Sequence, residues 1–184
     1  MRVNSSQPRS FLSSERTAGF FVGWNFCEAK IPLFYGKIIS MKIRSTSVSE
    51  TSEIAKNFLE KISLGMQDGA LVVGLYGDLG SGKTTFTQAI AKLFGITDDI
   101  TSPTFVIEKI YNMQHTKFNN LVHIDAYRLN SSRELQVLDW ERTVSDPHNI
   151  IFIEWPEQVL DILPENHAKI SFKFISEGER EIEF

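Results

Sequence analysis

The sequence predicts an α/β fold: a central mixed sheet, mainly parallel, between two helical layers, with a C-terminal β-hairpin. Three observations predict it. Short apolar runs at Leu71–Tyr76, Leu121–Asp125 and Ile150–Glu154 read as buried strands, and helical spacing separates them. A glycine-rich stretch, Gly77 to Gly82, joins the first run directly to a helical pattern. The final segments, Lys169–Ile175 and Glu181–Phe184, alternate around Glu177-Gly178 as the two arms of a hairpin do.

The elements follow in order. Ser49 or Thr51 is placed to cap a helix whose apolar residues Ile54, Phe58, Leu59 and Ile62 recur at helical spacing, and Gly69 breaks that pattern. Leu71–Tyr76 is the first buried strand. From Lys83 to Phe94 the spacing is again helical, with Gly95 as the residue that ends it. Residues 96–104 are turn-rich and contain Ser102-Pro103-Thr104. The next two apolar runs each end in a carboxylate, Asp125 and Glu154, and Ser131–Thr143 between them carries a short helical pattern. Strands interleaved with helices pair in parallel, because a crossover returns the chain to the same end of the sheet. There is no internal repeat.

A chain of 184 residues, 42% hydrophobic and 23% charged, has the composition of one globular domain with an appendage, and this excludes a collagen or a disulfide scaffold. The single Cys27 cannot form an internal disulfide and fits a reducing, cytoplasmic setting. No run approaches 18 apolar residues, so no membrane association is expected. The net charge of −4 is a sum of unlike parts. Residues 1–40 hold five basic and two acidic side chains, together with six serines and seven aromatics. Residues 41–184 hold fourteen basic and twenty-one acidic side chains. The expected organisation is an N-terminal extension, 1–40, followed by a domain, 41–184. Three readings of the extension compete: a transit peptide, a disordered or loosely packed tail, or translated sequence upstream of the true start. Met41, opening a stretch that leads straight into a helix signal, favours the last.

Gly77-Asp78-Leu79-Gly80-Ser81-Gly82-Lys83-Thr84 satisfies G-x-x-x-x-G-K-[ST] at every position. Glycines let the backbone curl until its N–H groups point at phosphate oxygens, and the helix that follows presents its positive end to them. In such a loop Lys83 reaches the β- and γ-phosphates and the Thr84 hydroxyl ligates Mg²⁺. The motif places the chain among three-layer P-loop NTPase-like folds. A phosphate cradle also needs carboxylates for the metal shell, and Asp125 and Glu154 stand at the carboxyl ends of strands, where α/β sheets form their ligand crevices. His123 projects from the same strand face as Asp125 and reads as a buried, hydrogen-bonded histidine. His115, His148 and His167 lie in polar loops and are expected to be exposed. Arg180 reaches a nucleotide if the hairpin folds over the loop.

Three further strings accompany the loop: Ser102-Pro103-Thr104-Phe105, His123-Ile124-Asp125-Ala126-Tyr127-Arg128-Leu129 and Glu154-Trp155-Pro156-Glu157. In this order and spacing the sequence closely resembles the TsaE (YjeE) family from about residue 45 to 182. Members of that family commonly begin near the position of Met41 here, so residues 1–40 lie outside the resemblance. The resemblance implies an ATP- and Mg²⁺-binding protein that hydrolyses ATP slowly alone. It would act with TsaD- and TsaB-type proteins, which place a threonylcarbamoyl group on the adenosine next to the anticodon of tRNAs reading codons that begin with adenine. Contact with tRNA would be indirect, through those partners, which suits the acidic body of the chain. Position by position, Leu79, Gly80, Ser81, Gly82, Lys83, Thr84 and Thr85 would hold the phosphates. Thr84 and Glu154 would serve Mg²⁺, and Asp125 would act as the Walker B-like acid, so that Lys83, Asp125 and Glu154 form the catalytic set. Trp155 and Arg180 would flank the nucleotide, and Thr104 falls in a switch-like segment. Tyr127 and Arg128 also match, with site and partner surface both open as roles. The family's contact at the start of the first helix maps to the segment Ser49–Thr51. One departure is Leu138-Asp139-Trp140, which stands where many relatives have a glycine.

Two other functions share the phosphate loop. A small-molecule P-loop kinase generally closes an arginine-rich lid over its acceptor, whereas residues 83–184 offer only Arg128, Arg133, Arg142 and Arg180. A nucleotide-gated interaction module would hydrolyse ATP only incidentally.

Overall fold

The computed structural model describes residues 41–62, 68–114 and 116–184. The expectations for residues 1–40 and for His115 lie outside them. Seven strands form one sheet: β1 (Lys42–Ser45), β2 (Leu71–Gly77), β3 (Glu108–Asn112), β4 (Asn120–Asp125), β5 (Asn149–Glu154), β6 (Ala168–Ser176) and β7 (Glu179–Glu183). Their order across the sheet is β1-β7-β6-β2-β5-β4-β3. The pairs β6–β2, β2–β5 and β5–β4 are parallel, and the outer pairs β1–β7, β7–β6 and β4–β3 are antiparallel. The expected α/β class, mixed sheet and C-terminal hairpin are therefore all present.

Helices cover both faces. Odd-numbered residues of β2 and β4 share one face with even-numbered residues of β5, as the two-residue period of a strand requires. Leu71, Val73, Leu75, Leu121, Ile150 and Phe152 thus pack with Ile54 and Phe58 of α1 (Val48–Lys61) and Phe86 and Ile90 of α2 (Lys83–Leu93). The opposite face, Val72, Val122, Ile124, Ile151 and Ile153, packs against Leu135 of α3 (Arg133–Gln136) and Trp140 of α4 (Trp140–Ser145). β2, β4 and β5 are continuous apolar runs because both of their faces are buried. Among the described residues no helix is long and apolar enough to cross a membrane.

Several local features differ from the sequence expectations. The cap of α1 is Ser47, whose hydroxyl accepts from the Glu50 N–H at 3.1 Å, while Ser49 and Thr51 lie inside the helix. Glu50 reaches back to the Thr46 N–H at 2.7 Å, so the helix begins earlier than its apolar stripe suggests. The edge strands β1 and β3 were not foreseen. Each is short and half-exposed, so neither carries a buried apolar run. The single helical segment expected at Ser131–Thr143 is two helices, parted by Asp139 with φ 63° and ψ 35°. Asp139, within the string Leu138-Asp139-Trp140, therefore takes a left-handed conformation that glycine favours. Gly95, with φ 77°, ends α2 as expected.

Candidate nucleotide site

At the carboxyl end of the parallel strands, a cavity of about 330 Å³ is lined by Leu79, Gly80, Gly82, Lys83, Thr84, Thr85, Ser102, Thr104, Asp125, Tyr127, Glu154 and Trp155. Its floor is set by strand register. Asp125 of β4 pairs with Glu154 of β5, and Leu75 of β2 pairs with the same Glu154, so both carboxylates stand beside the loop that leaves β2. A backbone bond from the Ala126 N–H to the Glu154 carbonyl (3.0 Å) ties the two strand ends together.

The loop depends on glycine at two points. A Cβ on Gly77, at φ 136°, would lie 2.2 Å from the Phe172 carbonyl oxygen of β6. On Gly82, at φ 102°, it would meet the Arg180 side chain at 3.0 Å. Gly82 is the residue that caps α2, and having no side chain it supplies no capping oxygen, so among the described residues no side chain caps the first-turn N–H groups of α2. N–H donors at the positive end of a helix suit an anion, and the wall of the cavity is built by the residues that carry them.

Lys83 is almost fully buried. Its ammonium donates to the carbonyls of Gly77 and Asp78, each at 2.8 Å, and lies 4.2 Å from the centre of the Trp155 ring. Burial holds its pKa below the ordinary lysine value of 10.5, an effect that the nearby Glu154, Asp125, Glu157 and Asp78 carboxylates oppose. Thr84 Oγ1 donates to Glu154 Oε1 at 2.7 Å. His123 Nε2 lies 2.9 Å from the same oxygen, deep in the sheet. Asp125 Oδ2 accepts from the hydroxyls of Ser102 and Thr104, and its Oδ1 accepts from the Tyr127 N–H at 3.0 Å.

Trp155 adopts φ 58° and ψ 48°, a left-handed conformation that costs a non-glycine residue on the order of 1 kcal/mol. In this conformation its ring lies over Lys83 and 5.0 Å from the ring of Tyr127. A second strained residue, Ile107 with φ 67°, offers its carbonyl to the Asp125 N–H at 2.9 Å. The turn Pro103–Ile107, with Ser102 just before it and Thr104 within it, is thereby fastened to Asp125 through both backbone and side chains.

Of the site residues expected from sequence, Leu79, Gly80, Gly82, Lys83, Thr84, Thr85, Asp125, Glu154 and Trp155 line the cavity. Ser81 is buried, its hydroxyl without a hydrogen-bond partner among the described residues, and Arg180 packs on Gly82 without lining the cavity. The hairpin does bring Arg180 to the loop. None of residues 45–52 lines the cavity, and Thr51 is instead buried against Ser45 at 2.8 Å. Tyr127 belongs to the cavity wall, whereas Arg128 lies over the exposed Phe105 ring at 4.3 Å. His148 is exposed as expected. His167 is not: it is half-buried, stacked on Tyr76 and bonded to the Tyr76 hydroxyl (2.8 Å) and the Pro164 carbonyl (2.7 Å). Ser102 was missed as a site residue. Its signal, a hydroxyl two residues before Thr104, gains meaning only when the turn is folded onto Asp125.

Thr84, Glu154 and Asp125 together supply only hard oxygen donors, the kind that Mg²⁺ prefers. No group of three or more His, Cys, Asp or Glu side chains among the described residues could hold a metal ion unaided.

Residues 45–182 match the family model of the threonylcarbamoyl adenosine biosynthesis protein TsaE. The tRNA threonylcarbamoyladenosine biosynthesis protein TsaE of Bacillus subtilis is 35% identical over 144 residues, covering 78% of this chain and 84% of the relative. Its counterpart from Borreliella burgdorferi is 36% identical over 123 residues, covering 66% and 86%. The crystal structure of Bacillus subtilis YdiB superposes with a TM-score of 0.57 at 30% identity, covering 81% of this chain and 86% of that one.

Proposed function

From the premise that this chain belongs to the TsaE family, we propose that it is a Mg²⁺-dependent ATPase serving threonylcarbamoyladenosine biosynthesis on tRNA. The observation that carries this reading is the meeting of Lys83, Thr84, Asp125 and Glu154 in one cavity at the mouth of a glycine loop. The loop and the first turn of α2 hold the β- and γ-phosphates through N–H donors, and Lys83 adds a positive charge beside them. Thr84 can give its hydrogen to Glu154 while its lone pairs remain available to a cation. Bound Mg²⁺ would neutralise charge on the phosphates, with Thr84 and Glu154 as its protein donors. Asp125 accepts from three donors around it, which fixes its orientation and suits a role in orienting groups near the γ-phosphate. The Trp155 ring stacks over the Lys83 ammonium, its centre 4.2 Å away.

The proposed setting is cytoplasmic, with TsaD- and TsaB-type proteins as partners and tRNA reached through them. The test is phosphate release from ATP by the purified chain, alone and with those partners. Slow release alone, accelerated by the partners and abolished in Lys83→Ala, is the expected result. Release that instead requires a small hydroxyl acceptor would identify a kinase. Full multi-turnover tRNA modification by both Lys83→Ala and Glu154→Ala would show hydrolysis to be dispensable.

A further inference from the structure

We infer that His123 is a positioning residue for Glu154, holding its carboxylate in the orientation that serves the metal. This rests on the reading of Glu154 as a Mg²⁺-serving residue. His123 sits in the middle of β4 with no exposed surface, and Glu154 is the last residue of β5. The register pairs Asp125 with Glu154, so His123, two residues earlier on the same face, is its diagonal neighbour. A carboxylate oxygen accepts, so the ring nitrogen facing it, Nε2, carries hydrogen and donates at 2.9 Å.

Two features separate this from ordinary packing. First, Nδ1 is buried with no hydrogen-bond partner among the described residues. A buried polar atom left unpaired is destabilising, so an apolar side chain of similar size would pack His123's place at least as well. The one polar contact that offsets it is the one to Glu154. Second, Oε1 receives two donors from two different elements, Thr84 at the start of α2 and His123 in the sheet. Thr84 lies in the first turn of α2, directly after the glycine loop. His123 is locked by strand register and therefore fixes the carboxylate independently of the loop, while Oε2 carries no hydrogen bond among the described residues.

The test is equilibrium dialysis of labelled ATP against the full chain at graded Mg²⁺ concentrations and in EDTA. Wild type binds ATP more tightly as Mg²⁺ rises. In His123→Leu the Mg²⁺ concentration for half-maximal strengthening rises about 10-fold, a typical effect of losing a partner of a metal-serving group, while affinity in EDTA is unchanged. His123→Gln, which keeps an N–H at the reach of Nε2, restores the wild-type midpoint. Combined with Glu154→Ala, the leucine change adds no further shift, because its effect passes through Glu154. If His123→Leu fails to fold by circular dichroism, His123→Asn replaces it; its amide stops one atom short and is expected to shift the midpoint as leucine would. A midpoint unchanged in the leucine or asparagine variant, equal shifts in it and in glutamine, or an additive double variant would overturn the inference alone. ATP binding by wild type that ignores Mg²⁺ would overturn the proposed function, and this inference with it.

Discussion

Thr84 and Glu154, seventy positions apart, are joined by a 2.7 Å hydrogen bond from the hydroxyl that opens α2 to the carboxylate that ends β5. The bond couples the start of α2 to the sheet at the cation site proposed above. It is made possible by β2 lying between β6 and β5, which places the loop leaving β2 directly beside the end of β5.

Replacing Thr84 by valine keeps the branched shape and removes the hydroxyl. Mg²⁺-dependent phosphate release is expected to fall about 10- to 100-fold, with thermal stability little changed. Steady-state ATPase assays at several Mg²⁺ concentrations would check this. A variant as active as wild type would remove Thr84 from the metal shell.

Asp125→Asn is expected to lower phosphate release about 100-fold. The carboxylate accepts from Ser102, Thr104 and the Tyr127 N–H, and an amide nitrogen can accept from none of them. Because the bonds from Ser102 and Thr104 also tie residues 102–107 to Asp125, faster proteolysis within residues 102–107 should accompany the loss. Unchanged cleavage there would mean that the turn holds without Asp125.

The depressed pKa of Lys83 predicts a pH dependence of stability. The unfolded chain binds this proton up to about 10.5, whereas the folded chain releases it at lower pH. In that window the unfolded state holds more protons, so folding gains stability as pH rises toward 10.5 and loses it as pH falls through the folded value. Lys83→Met removes this term. The difference in melting temperature, wild type minus variant, should therefore increase between pH 8 and pH 10.5; a difference that stays flat would contradict the burial effect.

Asp139 tests the left-handed turn between α3 and α4. Its 3.6 Å contact with Arg142 is solvent-exposed and contributes little. Asp139→Gly should leave stability within about 0.5 kcal/mol of wild type, since glycine's chain-entropy cost and its relief of strain offset each other. Asp139→Val should destabilise by about 1 to 2 kcal/mol, because a branched Cβ opposes a φ of 63°. Urea unfolding distinguishes the two. Equal stability of both variants would mean the turn has another conformation.

The phosphate loop, the helix behind it and the two carboxylates at strand ends were legible in the sequence because each follows from local chemistry. Glycines permit the curl, apolar runs bury themselves, and a lysine beside a threonine at a helix start has few other uses. The order of strands was not legible: nothing local tells β2 that β6 and β5 will flank it, or adds short edge strands such as β1 and β3, whose pairing comes from partners far along the chain. Register decided the rest. It set Asp125 beside Glu154 and put His123 on the same oxygen as Thr84, while hydroxyl bonds from Ser102 and Thr104 folded the preceding turn onto Asp125. Sequence spacing specifies which face of a strand a residue occupies, whereas only the packed sheet specifies which neighbour it meets there, since that depends on hydrogen bonds between strands distant in the chain.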